Sequence, residues 1–543
     1  MATEQGGTRH RALKTAGLAT IVAFLVALFD PLGLDQAGDR RSAEAADRVA
    51  APFYPSGHGR ALVTTVPIDE AALRSVGREW PPQYDFYAEV LDALTADAAT
   101  RPAAIFLDFT FMSELYSEER RDRFVARVHQ VTRAESWTGR PECHTTPTAK
   151  LRCIIAHGGT PVIIGKPYPV DRCDLTLTLL LLDRAAVLTP LGWPGMGDAW
   201  RSAISRDQYR SQRRGDEEGC PALEGIEAAG GKASFDYGSA VLNAMIGAPS
   251  VKVTARGVAR YDLTPSAALF AALCLRDRRV SPHCGNPGNP AFEAFLARET
   301  TFKVFWGSIP DPAYLAVEER LFPARADVER RERCRRETAG PGRVLAVGLA
   351  QLLAGLDDRG AARPVECGYH ADLRYDLLTG DTADPAIASD LRRAFVAGRA
   401  VIVGAALAQS NDWTVSPTRG RVPGMNLHAM ALDNLLELGG RMPRPPPAIL
   451  GSPIDEGEAV ELILTFLMTL LIVTADERAP AAAAGAPDAG AIRRRRLGLA
   501  AMSIGGSLLV FVVASLFLTT VLRWTPVNIV GLWVLSVTVA FVS

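Results

Sequence analysis

The sequence predicts an α/β extracytoplasmic domain with a mostly parallel sheet, together with four transmembrane α-helices, one N-terminal and three C-terminal. Two observations lead to this prediction. Between about Phe53 and Leu438, short apolar segments alternate with segments of helical spacing, which is typical of crossover units that bury a parallel sheet between helices. Outside this region, long segments with few or no charges lie towards the two ends of the chain.

Composition and charge restrict the function classes. Apolar residues make up 48% and charged residues 22% of the 543 residues, and the formal net charge is -1. A nucleic-acid-binding protein normally has a basic excess on one face, so this balance argues against nucleic acid as a partner. The densest basic run, Arg493–Arg496, adjoins an apolar segment, which favours a role in membrane topology.

The N-terminal apolar segment, Thr15–Leu34, is about as long as a membrane span and contains one charge, Asp30. Basic residues precede it: Arg9, Arg11 and Lys14. The positive-inside bias therefore predicts a cytoplasmic tail over residues 1–14 and a transmembrane helix over residues 15–34. A cleavable signal peptide is the alternative, with an A-x-A site at residues 43–45. That site lies farther from the apolar core than a signal peptide normally has it, which favours an uncleaved anchor.

The C-terminal part contains three more apolar segments, over residues 459–475, 497–522 and 527–543. The linker at residues 476–496 is rich in Ala, Pro and Gly and ends in the four arginines, so we expect it in the cytoplasm. Both basic clusters then lie on one side of the membrane, and residues 35–455 lie on the other. The pattern predicts a multi-pass protein of a bacterial cytoplasmic membrane, with its large domain outside the cytoplasm.

Within the large domain, continuous apolar runs predict strands and apolar residues at helical spacing predict helices. In chain order, the predicted strands are Ala61–Ile68, Ala103–Phe109, Pro161–Gly165 and Ala400–Gly404. The predicted helices are Tyr84–Ala96, Glu119–Thr132, Leu391–Val396 and Met425–Leu438. Two other apolar runs, Leu175–Leu182 and Val344–Leu356, are too short to cross a membrane, so we assign them to the core. The stretch from about residue 171 to 260 is rich in Gly, Arg and Asp and is interpreted as an insertion.

All eight cysteines lie in the large domain, and their even number is typical of disulfides in an oxidising compartment. Buried free thiols in a cytosolic domain are the alternative. Short loops close at the least entropic cost. This rule favours two pairs: Cys143 with Cys153, and Cys274 with Cys284. Elimination leaves two more pairs: Cys173 with Cys220, and Cys334 with Cys367.

Candidate binding residues lie where parallel strands are predicted to end. Asp69 and Asp108 lie at the ends of two predicted strands, and Gly404 ends the last one. Ligands of open parallel sheets tend to bind beyond the carboxyl ends of the strands. Two carboxylates on neighbouring strand ends could bind a cation, hydrogen-bond a polar ligand or raise each other's pKa. The alternative is that each aspartate caps the helix that follows it.

The loop before the last predicted helix supplies two more candidates, Asp412 and His428. Pro423-Gly424 predicts a turn, and Asn426 is predicted to cap the helix, which places His428 in its first turn. A histidine at such a position is usually satisfied by a backbone or carboxylate partner. A proton-sensing or ligand-binding role is the alternative.

The sequence contains none of the short motifs that identify common enzymes: no phosphate-binding glycine loop, no G-x-S-x-G elbow and no H-E-x-x-H. We therefore predict no catalytic activity and no cofactor. An extracytoplasmic enzyme that uses Asp69 and Asp108 is the alternative. Four side chains of metal-ligand type occur in one short stretch, but no metal is predicted because their spacing matches no compact zinc finger: Cys143, His144, Cys153 and His157.

Several short segments, in this order along the chain, carry a resemblance to a known family: Val66–Asp69, Trp80-Pro81, Phe106–Phe111, Val401–Gly404, Asp412, Ser416-Pro417, Pro423-Gly424, His428-Ala429 and Asp433–Leu436. With the N-terminal anchor and the three C-terminal spans, they resemble the CHASE domain of the second type, a cyclase- and histidine-kinase-associated sensory extracellular domain. The resemblance implies a sensor that binds an extracytoplasmic ligand, whose identity the sequence does not specify.

Members of that family are usually fused, through the last span, to a cytoplasmic cyclase, kinase or phosphatase. This sequence ends at Ser543 without such a domain. We therefore expect the protein to act in signal transduction through a separate partner protein, or as a homo-oligomer that associates through its transmembrane helices. The alternative is a structural subunit of an envelope complex.

Overall fold

The computed structural model describes residues 13–24, 51, 54–55, 57–111, 117–167, 177–191, 243–245, 247–248, 262–287, 290–296, 301–307, 310–321, 368–379, 384–407, 410, 412–416, 419–441, 449, 456–483, 510, 513 and 517. The chain forms two compact units. The first comprises Met1–Ala50 and Pro443–Ser543, and the second comprises Ala51–Met442. All strands formed by the described residues belong to the second unit.

A six-stranded parallel sheet forms the centre of the second unit. The described residues form these strands: β1 (Val63–Ile68), β2 (Ala104–Thr110), β3 (Val162–Pro167), β4 (Val187–Leu191), β5 (Asn243–Met245), β6 (Gly247–Ala248), β7 (Asp262–Leu263), β8 (Thr301–Lys303), β9 (Ala371–Asp372), β10 (Ala400–Ala405), β11 (Trp413–Ser416) and β12 (Gly420–Pro423). The central sheet has the order β4-β3-β2-β10-β1-β9, and each of its pairings is parallel. Three antiparallel pairs, β5 with β8, β6 with β7 and β11 with β12, lie outside it. The prediction of a mostly parallel α/β sheet is confirmed.

The central strands are buried on both faces because apolar residues occupy nearly every position. All six residues of β10 are buried, and its neighbour β2 contributes Ile105, Phe106 and Leu107, which are fully buried. Successive side chains of a strand point to opposite faces. Accordingly, Ile105 and Leu107 belong to one hydrophobic cluster, whereas Phe106 belongs to the other. A continuous apolar run is what a strand between two helical layers requires.

Helices cover both faces of the sheet. The described residues form these α-helices: α1 (His58–Leu62), α2 (Glu70–Ser75), α3 (Tyr84–Thr95), α4 (Glu118–Thr132), α5 (Pro147–Ala156), α6 (Leu177–Asp183), α7 (Pro265–Arg276), α8 (Pro290–Leu296), α9 (Pro312–Leu321), α10 (Pro385–Phe395), α11 (Met425–Leu438) and α12 (Glu456–Ala483). Short 3-10 helices lie at Ala98–Thr100, Ala134–Ser136, Pro141–His144, Arg278–Val280, Tyr375–Leu377 and Gly439–Arg441. Helices α3, α4 and α10 bury side chains on one face, and α7 and α11 do so on the other. The second unit is therefore a three-layer sandwich.

Helix boundaries follow the capping residues. Helix α11 has the predicted bounds. Helix α10 begins at Pro385 instead of Leu391, because Asp384 caps it through the Ala386 amide and proline is favoured in the first turn. Near the start of the second unit, Ala61 and Leu62 belong to α1, so the first strand begins at Val63 instead of Ala61.

The stretch from about residue 171 to 260 is not wholly an insertion, because part of it completes the central sheet. Helix α6 and strand β4 lie within it, and β4 pairs with β3 at the edge of the sheet. Strand β4 contains Pro190, which an edge strand tolerates but which argues against a strand when only the sequence is considered. Leu179 and Leu182 of α6 are buried in the core, as predicted for this apolar run. The other such run, Val344–Leu356, lies outside the described residues.

Two of the four predicted disulfides are formed. Cys143 bonds to Cys153 of α5, and Cys274 of α7 bonds to Cys284. Each closes a loop with a sequence separation of 10 residues, as the entropic argument predicts. The remaining cysteines lie outside the described residues: Cys173, Cys220, Cys334 and Cys367. Because Cys143 and Cys153 are bonded to each other, they have no thiolates to offer to zinc.

The first unit contains the helical residues 13–24 and helix α12. Within the part of the chain that the structure describes, we find no helix that combines the length and the apolar character needed to cross a membrane. The predicted span at residues 527–543 lies outside the described residues, and only residues 510, 513 and 517 of the span at 497–522 are described. The four transmembrane helices therefore stay a prediction.

Candidate functional site

The carboxyl ends of the parallel strands meet at one edge of the central sheet. Strand β10 lies between β1 and β2, and Gly404 pairs in register with Pro67 on one side and with Asp108 on the other. Asp69 follows β1 directly. The prediction that Asp69 and Asp108 lie at neighbouring strand ends is wrong, because β10 lies between β1 and β2. Gly404 of β10 is the residue that neighbours both of these strands.

Asp69 has a structural role at this edge. Its Oδ1 accepts a hydrogen bond from the Ala72 amide at 2.7 Å and thereby caps helix α2. A carboxylate at the N-cap satisfies an amide that the helix leaves unpaired. Of the two interpretations of Asp69, the structure shows helix capping.

Asp108 is in a different situation. The next described helix along the chain, α4, is capped by Ser117. The side chain of Asp108 is only 7% exposed, and its Oδ1 lies 3.7 Å from Nε2 of His428. Its second oxygen, Oδ2, is buried and has no hydrogen-bond partner among the described residues. Burial raises the pKa of Asp108 to about 7, because an ionised carboxylate loses its hydration there.

His428 lies in the first turn of α11, as predicted. Its ring packs edge-on against Phe106 of β2, with the ring centroids 5.2 Å apart. Burial lowers the pKa of His428 to about 4, and the charge of Asp412 offsets part of this effect. The imidazole is therefore neutral near pH 7. Its 3.7 Å separation from Asp108 is longer than a hydrogen bond.

The start of α11 differs from the prediction. Gly424, rather than Asn426, occupies the N-cap, and no side chain caps the helix. Asn426 lies inside the first turn, where its Nδ2 donates to the carbonyl of Pro423 at 3.2 Å. Glycine suits the cap because the carboxylate of Asp412 fills the space that a Cβ at position 424 would take.

Asp412 precedes the β11–β12 hairpin and faces the same site. Its backbone carbonyl accepts a hydrogen bond from the Gly424 amide at 2.9 Å, which ties the hairpin to the start of α11. Burial and, after it, the charge of Asp108 raise the pKa of Asp412 to about 7, whereas His428 acts in the opposite direction. Asp108, Asp412 and His428 thus interact as one group, which we call the acid site.

Gly404 allows α11 to approach the sheet beside the acid site. A Cβ at position 404 would lie 2.8 Å from the Cβ of Met425, the first residue of the helix. Any larger residue would push the first turn of α11 away from β10. Four of the five predicted residues therefore meet around the start of α11: Asp108, Gly404, Asp412 and His428.

Two residues of this region were not predicted as part of the site. Phe106 forms a wall behind His428, and its position two residues before Asp108 places both on one face of β2. That spacing is a signal that the sequence contains. Gly424 makes room for Asp412, and this role depends on how the hairpin folds back, so no local pattern indicates it.

The chemistry of the acid site follows from these environments. Near pH 7 its two carboxyl groups are partly protonated and its imidazole is neutral. Such a site offers hydrogen-bond acceptors and exchangeable protons. Within the described ranges, no group of three or more His, Cys, Asp or Glu side chains is arranged to hold a metal ion.

A second buried polar group, which we call the Asp433 cluster, lies farther along α11. The hydroxyl of Tyr54 donates to Oδ1 of Asp433 at 2.6 Å, and Nε2 of His370 lies 3.2 Å from Oδ2 of the same carboxylate. Asn434 donates through Nδ2 to the Tyr54 hydroxyl at 3.0 Å and accepts from the Phe305 amide at 2.8 Å. Burial, with the nearby charge of Asp433, raises the pKa of Tyr54, so the phenol stays a donor.

The comparisons with known proteins identify the family of the chain. A family model described as the CHASE2 domain matches residues 18–472. No curated protein and no solved structure matches the chain. The residues that carried the resemblance now have positions in the fold: Gly404 and Asp108 on neighbouring strands, and Asp433 in the helix that covers them. Because the family model covers most of the chain, the protein belongs to the CHASE2 family of sensory extracellular domains.

Proposed function

We propose that this protein is a membrane-anchored extracytoplasmic sensory domain that acts in signal transduction through a separate partner protein. It binds a small ligand at the acid site. The observation that carries the proposal is that one helix, α11, connects the acid site with both ends of the second unit.

The first turn of α11 belongs to the acid site. Met425 packs against Gly404, and His428 lies beside Asp108 and Phe106. A ligand that contacts the carboxylates changes the charge and the packing around this turn. The position of α11 is therefore sensitive to whether the acid site is occupied.

The second half of α11 holds the segment through which the chain enters the second unit. Tyr54 binds Asp433, and the Gly59 amide donates to Oε1 of Glu437 at 2.7 Å. The chain leaves the unit just after α11, through Gly439–Arg441. Both connections of the second unit to the rest of the chain therefore depend on this end of the helix.

Helix α11 is suited to transmit a displacement. It contains 14 residues, which corresponds to about 21 Å at 1.5 Å per residue, and most of its side chains are buried. A packed helix moves as one element, so a shift at its first turn reaches its last turn. A ligand that binds more tightly to one position of α11 shifts the population towards that position.

The exposure of side chains in the first unit supports membrane anchoring. Helix α12 exposes Ile463 and Leu467 and buries Glu461, Thr465 and Thr469 together with Met468 and Val473. Large apolar side chains thus occur on its exposed side and polar ones on its buried side, which differs from a helix in water. Within the described residues, all large hydrophobic side chains that are exposed lie in this unit: Leu13, Leu18, Ile21, Phe24, Ile463, Leu467, Val510, Val513 and Phe517. Lipid is the solvent that favours such a surface.

The partner protein is proposed from the character of the predicted spans. The predicted span over residues 497–522 has no charged residue and contains small residues such as Gly505 and Gly506. The signal then passes through the packing of the spans against another protein or a second copy. Small residues permit such close packing, and Ala16, Ala19 and Ala23 already line the buried side of the N-terminal helix.

Hydrogen–deuterium exchange on the full-length protein in lipid nanodiscs tests the role of α11. We expect Asp108→Asn to change the exchange of residues 425–438 and also of residues 54–62, because the disturbance travels along the helix. The matched control is Asp69→Asn, which alters a carboxylate at the same edge of the sheet and is expected to affect residues 70–76 alone. A change in Asp108→Asn that stays within the first turn of α11 would contradict the proposed transmission.

A further inference from the structure

We infer that the acid site takes a small organic cation, a ligand with an ammonium group held between the carboxylates of Asp108 and Asp412. The inference rests on the proposed function and adds the chemical class of the ligand. It depends on the unpaired oxygen of Asp108, on the balance of charges around the site and on the position of both carboxyl groups beside the first turn of α11.

The carboxyl group of Asp108 contains a buried oxygen for which the described residues supply no hydrogen-bond donor. Its side chain is 93% buried, since only 7% of it is exposed, and Oδ2 has no hydrogen-bond partner there. Buried polar atoms in folded proteins are nearly always paired. Oδ1 is 3.7 Å from the neutral imidazole of His428, so this oxygen also lacks a strong donor. A ligand that donates hydrogen bonds would satisfy both oxygens.

The acid site also lacks a positive charge. The groups that face one another are Asp108 from β2, Asp412 from the start of the hairpin and His428 from α11. The two arginines of the neighbouring hairpin are engaged elsewhere. Arg421 stacks on the Trp413 ring with 5.0 Å to its centroid, and Arg419 pairs with Asp372 at 4.0 Å. Among the described residues, no lysine or arginine therefore supplies a counter-charge to Asp108 and Asp412.

An ammonium group matches these requirements better than other ligand classes. An anion would be repelled by the ionised forms of the two carboxyl groups, and a neutral alcohol would leave these forms without a counter-charge. A metal ion needs more ligands than the site arranges, since the described residues offer no set of three side chains for one. An ammonium group carries up to three donors and a positive charge, so it can bond to both carboxylates at once.

Binding of the cation is coupled to loss of protons. Without a ligand, the two acids are partly protonated near pH 7. A bound ammonium favours their ionised forms, so protons leave the carboxyl groups for the solvent as the ligand binds. A neutral ligand or non-specific binding elsewhere on the protein would not release protons from these two groups.

The test is isothermal titration calorimetry of the full-length protein in lipid nanodiscs at pH 6.5. The probes are butylammonium and 1,4-diaminobutane, with 1-butanol as the neutral control. We expect at least one amine to bind, 1-butanol not to bind, and the measured enthalpy to depend on the ionisation enthalpy of the buffer because protons are released.

Three variants locate the site. Asp108→Asn and Asp412→Asn are each expected to weaken amine binding at least tenfold and to reduce the proton release. Asp69→Asn, whose carboxylate caps α2, is expected to bind the amine as the wild-type protein does. Thermal unfolding of each variant shows that it is folded, and Asp412→Asn serves as the second test if Asp108→Asn is unstable.

Several results would overturn the inference: no binding of either amine, equal binding of 1-butanol, or amine binding that neither carboxylate variant weakens. The exchange experiment on Asp108→Asn separates this failure from failure of the proposed function. If the amines do not bind but residues 54–62 still respond to the Asp108 variant, the ligand class is wrong and the sensory role stands. If the amines bind and residues 54–62 do not respond, the ligand class stands and the proposed transmission is wrong.

Discussion

At the scale of single residues, burial decides which of the predicted residues carry unusual chemistry. Asp69 and Asp108 look alike in the sequence, because each ends a strand. Asp69 pairs with a helix amide, whereas Asp108 is buried with an unpaired oxygen. The difference arises from the elements that follow: α2 starts directly after β1, but α4 has its own cap at Ser117. Asp108 caps neither of these helices, so its carboxylate is the one that we propose for ligand binding.

The pH dependence of stability tests these environments. Burial raises the pKa of Asp108 from 3.8 to about 7, so the folded state binds more protons than the unfolded state between these values. Its contribution to stability is therefore complete below pH 4 and is lost as the pH rises to 7. About 2.5 pH units of this loss lie between pH 4.5 and the raised pKa, so we expect Asp108→Asn to remove up to about 3 kcal/mol of it, at about 1.4 kcal/mol per pKa unit. Urea unfolding of the wild type and of Asp108→Asn at pH 4.5 and pH 7.5 measures this difference in the free energy of unfolding.

His428 has the opposite sign and provides the control for that experiment. Burial lowers its pKa from 6.5 to about 4, so the unfolded state binds more protons between these values. Its contribution to stability is complete above pH 6.5 and is lost as the pH falls to 4. We expect His428→Gln to remove this opposing effect and to make the loss of stability between pH 4.5 and pH 7.5 larger than in the wild type. A smaller loss in His428→Gln would show that the histidine is not buried as described.

A second prediction at this scale concerns Gly404. A Cβ there would lie 2.8 Å from the Cβ of Met425, so Gly404→Ala must displace the first turn of α11. We expect a loss of about 1–3 kcal/mol in the free energy of unfolding, which is typical of overpacking. Gly139→Ala is the control, because no atom lies within 4 Å of its added Cβ. A control as unstable as Gly404→Ala would show that the loss has another origin.

At the scale of elements, α11 has different tasks at its two ends. Its first turn closes the acid site, and its later turns hold the segment that begins the second unit through the Asp433 cluster. The helix is buried along most of its length, so its position is set by packing on both sides. This arrangement explains why segments far apart in the chain, at residues 54–59 and 425–438, depend on each other.

Substitution of Tyr54 tests that dependence. Tyr54→Phe removes the donor to Asp433 and leaves a buried carboxylate oxygen without it, for which we expect a loss of about 1–3 kcal/mol. Tyr375→Phe is the matched control, because the hydroxyl of Tyr375 is buried without a hydrogen-bond partner among the described residues, and we expect it to be neutral or stabilising. Chemical unfolding of both variants measures the two losses in the free energy of unfolding. Equal losses would indicate that packing, rather than the hydrogen bond, explains the effect.

Each described disulfide stabilises the elements that it joins. The pair Cys143–Cys153 closes a loop of 10 residues between a 3-10 helix and α5. Replacing both cysteines by alanine is expected to lower the free energy of unfolding by about 2–3 kcal/mol, because the unfolded chain regains loop entropy. Non-reducing peptide mapping identifies the bonds first. Free thiols at Cys143 and Cys153 in the protein purified from membranes would contradict an oxidising location for the second unit.

At the scale of the whole molecule, the two units have opposite surface character. The second unit buries its apolar residues in two clusters, one on each face of the sheet. In the first unit, the described helices expose leucine, isoleucine, valine and phenylalanine. This difference in exposed side chains motivates the proposal that the first unit contacts lipid, and the predicted spans stay a prediction.

Reporter fusions test the predicted topology. Fusions after residues 45, 440 and 525 are expected to report an extracytoplasmic location, and fusions after residues 488 and 543 a cytoplasmic one. The physical reason is the positive-inside bias, which places the basic residues before the first segment and Arg493–Arg496 on the same side. A cytoplasmic signal at residue 440 would contradict the predicted location of the large domain and, with it, the sensing of an extracytoplasmic ligand.

The sequence by itself determined the features that depend on local order. Continuous apolar runs indicated β2, β3 and β10, helical spacing indicated α3, α4 and α11, and short loops indicated both disulfides that the structure describes. It also indicated that Asp69, Asp108 and Gly404 would lie towards one edge of the sheet, since parallel strands share one carboxyl edge. The order of the strands, with β10 between β1 and β2, was not predicted.

Tertiary structure alone decided the features that depend on contacts between distant segments. Residues 187–191 form strand β4 because they pair with β3 at the edge of the sheet. Considered locally, Pro190 argues against a strand at this position. Gly424 replaces Asn426 at the cap because Asp412 folds back onto that position, and the Asp433 cluster depends on Tyr54, 379 residues earlier in the chain. Hydropathy and spacing describe neighbours along the chain, whereas burial, charge pairing and unpaired oxygens arise only where separate segments pack together.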